Sequence, residues 1–170
     1  MAYNAYAIPI SGDISFAGAV LPTGTPPGDP VNFMTATGLD FGPSLVTNAS
    51  GDYYGTAATA VTVTDFTYNP VTLVVSPLWS LNAFPGFTFD TTSMVVFSQN
   101  ELSIEIRGTG TASMPGKDDT PGTYIITANR AGATYSYSAS SGVQGVPEPA
   151  TMLLLGLGLI GMAGLRRFKK

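Results

Sequence analysis

From Ala150 to Leu165 every residue except Thr151 is apolar or glycine, and Arg166, Arg167, Lys169 and Lys170 follow almost at once. As a helix this run rises about 24 Å, against a hydrocarbon core about 30 Å thick. Phe168 and the aliphatic stems of Arg166 and Arg167 extend the apolar reach while the charged heads rise to the headgroups. The leucines and Ile160 together contribute about −3 kcal/mol to insertion, before the glycines are set against them. A buried helix ending a soluble domain would need a polar face, and this run has none. The expectation is therefore one C-terminal transmembrane helix at 150–165 with a basic cytoplasmic tail at 166–170, since positive charge is retained on the cytoplasmic side. Everything upstream of Val146 then lies across the membrane, and the body of the chain is exported.

Immediately before the run stand Val146, Pro147, Glu148, Pro149 and Ala150. The prolines fix φ and push Val146 and Glu148 toward extended backbone, so 142–149 is expected to be an extended linker, the form in which a protease accepts peptide. Gly156, Gly158, Gly161 and Gly164 weaken the helix that follows, and none is spaced from another for dimerisation through a small-xxx-small face.

Val-Pro-Glu-Pro-Ala-Thr at 146–151, a leucine- and glycine-rich span, and a terminal Arg-Arg-Phe-Lys-Lys together resemble the PEP-CTERM sorting signal of Gram-negative bacteria. The segments at 120–124 and 135–141 are similar to the final hairpin of many such proteins. The resemblance implies recognition by an exosortase, a membrane-embedded cysteine protease or transpeptidase. That enzyme takes an inner-membrane-anchored precursor, removes the tail, and leaves the protein at the cell surface or in the extracellular matrix. It also implies a link to exopolysaccharide and biofilm matrix. The alternative is a stop-transfer anchor that is never cut, and only the PEP motif separates the two. At the other end, MAYNAYAIPI lacks the basic region and apolar core of an export leader, yet Ala5-Tyr6-Ala7 has the small-x-small form of a cleavage site. Residues 1–7 are accordingly expected to be the remnant of a signal peptide whose start lies upstream.

The stretch from 8 to 141 reads as one all-β domain. Period-two alternation recurs between Gly, Pro and Asn clusters, and no amphipathic helical stretch appears before residue 150. Ile8, Ile10, Ile14 and Phe16 share one face of a first strand. Val31 and Phe33 start the next, AVTVTDFTY and VTLVV (71–75) follow, and Phe87 and Phe89 mark another. MVVFSQNELSIEIR is the clearest hairpin, with Leu102, Ile104 and Ile106 expected inward and Glu101, Ser103, Glu105 and Arg107 outward. A second hairpin runs from Gly122 to Ser140 around Asn129-Arg130-Ala131-Gly132. Eight to ten short strands point to an antiparallel β-sandwich, with a jelly roll or a barrel as rivals. Gly-Asp pairs recur at 12, 28 and 51 without even spacing, so no repeat architecture is expected.

Composition narrows the chemistry. The chain has neither histidine nor cysteine, which removes disulfides, thiolate or imidazole metal sites, and Ser-His-Asp or Cys-His catalysis. Up to Val146 there are three cations against ten carboxylates, a net −7, so no nucleic-acid partner is expected. Glu101 and Glu105 on one strand lie about 13 to 14 Å apart, beyond the separation glycosidase carboxylates need. Lys117 leaves a Ser-Lys dyad to consider, against the ordinary reading of a solvated loop lysine. The expectation is that the chain is not an enzyme and takes no cofactor. Asp118 and Asp119 in PGKDDTPG are candidate calcium ligands, with an aspartate-held turn as the alternative. Tyr53, Tyr54, Trp79 and Phe84 lie beside Gly or Pro and are candidates for stacking on sugar, with core packing as the alternative. Asn48-Ala49-Ser50 matches a glycosylation acceptor, a match of little weight in a bacterial chain.

Overall fold

The computed structural model describes residues 8–71, 74–130 and 134–141. Ten strands run in chain order: β1 Gly12–Thr23, β2 Gly38–Ala49, β3 Ala60–Val63, β4 Phe66–Thr67, β5 Trp79–Leu81, β6 Thr88–Thr91, β7 Val95–Gln99, β8 Ser103–Ser113, β9 Thr120–Asn129 and β10 Thr134–Ser141. A 3-10 turn at Gly51–Tyr53 follows β2. Among the described residues no helix is long and apolar enough to cross a membrane, and the 150–165 run lies outside them.

All strand pairings are antiparallel and form one sheet in the order β1-β10-β9-β8-β6-β5-β3-β2, which returns to β1 because β1 also pairs β2. β4 is attached to β2 and β7 to β8, outside this ring. The body is thus a nearly closed, barrel-like sheet. It corrects the first expectation, a two-sheet sandwich, and the jelly roll, in favour of the barrel rival. The cause lies in β1, whose register against β2 shifts between Ser15 and Phe16 and again between Gly18 and Val20. Such bulges raise local twist and bend, which lets one long strand carry partners on both edges while the sheet curls.

The alternation that marks strands in the sequence also sorts the barrel's inside from its outside. Along β9 buried and exposed positions alternate without a break from Thr120 to Asn129. Inside, Phe16 meets the edge of Trp79 at 5.7 Å between centroids, Trp79 stacks on Phe89 at 6.2 Å, and Phe89 meets Tyr124 at 5.8 Å. Each contact adds about 0.5–1.5 kcal/mol beyond the area it buries. Room for these rings comes from Gly108 and Gly110 on β8: a Cβ on Gly110 would enter the Phe89 ring, and one on Gly108 would meet both the Ser93 carbonyl and the Tyr124 ring. The same Ser93 carbonyl accepts the Tyr124 hydroxyl at 3.1 Å, and burial pushes that phenol upward in pKa.

Four expectations of the strand reading need correction. Leu102 is 66% exposed, because the Asn100 side-chain oxygen accepts the Leu102 and Ser103 N–H groups and makes this residue part of the turn between β7 and β8. Ile8 is exposed and precedes β1. Val31 and Phe33 lie in a loop, where the Asn32 side chain accepts the Met34 and Thr35 N–H groups and turns the chain. Phe33 is nonetheless fully buried, and its carbonyl takes the Tyr68 hydroxyl at 2.9 Å and the Gln99 amide. Burial pushes the Tyr68 phenol up to about 12, with the Gln99 contact acting the other way. Among the described residues of 71–75 no strand forms; Val75 is tied to Thr91 instead. Both predicted hairpins are present as β7–β8 and β9–β10, although 131–133 of the second turn lie outside the described residues.

Gly108→Ala is expected to destabilise the barrel by about 1–3 kcal/mol, since the added methyl has backbone on one side and a packed ring on the other. Urea denaturation followed by tryptophan fluorescence measures it; a midpoint equal to the parent's would show that the ring does not depend on that glycine.

Candidate functional site at the tail end of the barrel

Ser141 is the last residue of β10 and pairs with Gly12 of β1 and Gly122 of β9. The chain that leads to Val146 therefore departs from one end of the barrel, and three other segments gather there: 8–11, 50–54 and 114–119. Two copies of Ser-Gly-Asp, at 11–13 and 50–52, bind each other reciprocally. The Ser50 N–H donates to the Asp13 carbonyl and the Asp52 N–H to the Ser11 carbonyl, both at 2.8 Å. In return the Ser11 N–H donates to Asp52 Oδ2 at 2.8 Å and the Asp13 N–H to Ser50 Oγ at 3.0 Å. This zipper needs glycine twice. Gly12 has φ +145° and Gly51 φ +58°, and a Cβ on either would run into the opposite backbone.

Asp52 carries the clasp to a third segment. Its Oδ1 lies 2.9 Å from the Lys117 ammonium, while Oδ2 holds Ser11. Lys117, followed by the Ser11 N–H, holds the Asp52 carboxyl below the usual carboxylate range. Beside it the Asp118 N–H donates to the Ile8 carbonyl at 3.0 Å, and Pro9 bridges to Asp118. The Ile10 N–H donates to Thr120 Oγ1 at 2.8 Å in a buried bond. The segment entering the barrel is thereby pinned to the β8–β9 turn and the first residue of β9.

Several residues singled out in the sequence meet at this end in different roles. Lys117 is ion-paired to Asp52. Asp119 Oδ1 accepts the Ser113 hydroxyl at 2.6 Å, Asp118 is engaged through its backbone, and among the described residues no group of three carboxylates forms a cation site. Tyr53 is 2% exposed and packs edge-on against Trp79 and Phe87, at 6.3 and 6.4 Å. Trp79 is wholly buried, so neither ring offers a surface for sugar; Tyr54, at 86%, faces solvent. Phe84 is half-buried against Phe87. Away from this end, Glu105 is paired to Arg107 at 2.6 Å, and the Arg107 guanidinium lies 3.5 Å over the Phe97 ring. A surface groove of about 600 Å³ runs along β2 and β4, bordered by Asp40, Asp65, Thr67 and Ser76. Asp65 there accepts the Phe41 N–H at 2.8 Å where β3 has left β2. The sorting residues Val146, Pro147, Glu148, Pro149 and Ala150, and the cations Arg166, Arg167, Lys169 and Lys170, lie outside the described residues.

Asp52→Asn is expected to lower stability by about 1 kcal/mol at neutral pH, a figure kept small because the pair is solvent-screened. A carboxyl depressed in the folded state stabilises above its unfolded value of about 3.9 and loses that contribution as pH falls through the folded value. The difference between parent and variant should therefore shrink as pH falls out of the ordinary carboxylate range and vanish once the folded-state carboxyl is itself protonated. Thermal melts across pH test this; a difference independent of pH would remove the charge from the clasp.

Among known proteins, neither a curated sequence nor a solved structure matches the chain. A family model does match residues 145–167, that of the PEP-CTERM protein-sorting motif, and it begins four residues after β10 ends. The motif implies export, a membrane-anchored precursor and exosortase processing. The stretch that follows the clasped end of this barrel thus matches the PEP-CTERM protein-sorting motif.

Proposed function

We propose that this chain is an exported, non-enzymatic protein of the cell surface or extracellular matrix, with a structural or adhesive role among exopolysaccharide. Residues 150–165 span the inner membrane as a helix in the precursor, with 166–170 in the cytoplasm, and exosortase removes this tail. The observation that carries the reading is the sorting motif at 145–167 joined directly to a β body with its own core. The absence of histidine and cysteine from the whole chain supports a role without catalysis. So does the engagement of Lys117 and Glu105 in ion pairs, since neither is left as a base. The runner-up, a carbohydrate- or calcium-dependent binding module, retains Tyr54 as its exposed ring and loses the support of Tyr53 and Trp79.

Mass spectrometry of the protein recovered from cell surface and medium tests the proposal. Chains ending before residue 150 are expected, and an intact Lys170 in surface protein would contradict processing.

A further inference from the structure

β10 is held on both edges. Eight of its residues pair with Gly12–Ala19 of β1 and the same eight with Gly122–Asn129 of β9, down to Ser141 itself. In a central strand every backbone N–H belongs to one ladder or the other, so the end of β10 does not lengthen the free chain without breaking the sheet. Six residue steps separate Ser141 from Pro147, and nine separate it from Ala150. At 3.3–3.6 Å per residue these span at most about 20 Å and about 30 Å. A headgroup layer takes about 5–8 Å of the longer distance. What is left above the lipid is about two sheet spacings.

We infer that the closed barrel, not an unfolded chain, is the form that the sorting enzyme cuts, and that residues 142–146 act as a measured leash which brings the tail end of the barrel against that enzyme. The inference rests on the sorting reading above. The surface brought into contact is the clasped end, where Ile8 and Tyr54 stand exposed beside the Asp52–Lys117 pair. Its occupant is the part of the membrane-embedded enzyme that rises around the PEP motif, because the leash admits nothing thicker between barrel and lipid. Removing Gly142, Val143 and Gln144 shortens the leash by about 10 Å. With the leash at its full reach in the parent, as the proposal has it, the motif then regains the same depth when Ala139, Ser140 and Ser141 leave both β1 and β9.

Processing rates of full-length variants in the native host test this, with the ratio of precursor to cut protein followed in pulse-chase. Deleting 142–144 should slow cutting about tenfold or more, since several ladder hydrogen bonds, each worth a factor of several, must break first. Gly-Ser-Gly inserted after Ser141 in the deleted chain should restore the parent rate. Ser138→Pro, which removes a ladder N–H from β10, should speed the deleted chain, with protease resistance of the remaining barrel checked in parallel. Cutting of the deleted chain at the parent rate would overturn the inference, as would failure of Gly-Ser-Gly to restore it, which would mark 142–144 as a recognised sequence instead. Replacement of Pro147, Glu148 and Pro149 by alanine separates the two claims. If that variant is cut like the parent the sorting reading fails; if it is uncut while the deletion is harmless, only the leash fails.

Discussion

The fold depends on a strand at the far end of the chain sitting between two others. β10 fills the place between β1 and β9, and without it the ring β9-β8-β6-β5-β3-β2-β1 has an open seam one strand wide. Both edges of that seam would expose unpaired N–H and C=O groups, the condition under which sheets pair with the wrong partner. Closure therefore waits for the last residues of the body. The same residues lead directly into the sorting signal, so completion of the fold and presentation of the tail are neighbouring events on one short stretch of chain.

Inside the closed sheet, packing and backbone chemistry support each other. The aromatic row from Phe16 through Trp79 and Phe89 to Tyr124 crosses four strands, β1, β5, β6 and β9, and glycines on β8 give two of those rings their space. At the tail end, the reciprocal Ser-Gly-Asp contacts do for two loops what a ladder does for strands, satisfying N–H groups at which β pairing stops. Asp52 then ties them to the β8–β9 turn through Lys117. An acidic domain with so few cations spends one of them at the point where its first and last strands meet.

What was legible in the sequence was local. Period-two alternation and turn residues located most strands, and the β7–β8 and β9–β10 hairpins follow from the apolar positions of each half and the polar residues between. Closure was not legible, because alternation assigns faces and says nothing of which strand lies beside which; the paired residues of β1 and β10 are 115 to 129 positions apart. The same limit hid the burial of Tyr53 and Trp79, whose neighbouring glycines and prolines mark turns and leave open which side of the sheet the rings take. Leu102 fit the alternation of β8 but belongs to the turn, since a side-chain oxygen at Asn100 competes for its N–H. The clasp did leave a trace. Gly-Asp pairs at 12 and 51 were visible as an uneven repeat, and the serine before each is the added signal that marks them as partners. The tail was the most readable part as a motif, because Val-Pro-Glu-Pro-Ala, the apolar run and the terminal cations stand in one order on a contiguous stretch, which the sorting-motif family model also matches.

Amide hydrogen exchange on the body, residues 8–141, measures the central constraint most directly. If β10 closes the sheet, the amides of Thr134–Ser141 exchange as slowly as those of Tyr124–Ala128 on β9 and open together with them. Rapid exchange along 134–141, with β8 and β9 still protected, would mean that the barrel stands without its last strand and that the tail hangs from a far longer tether.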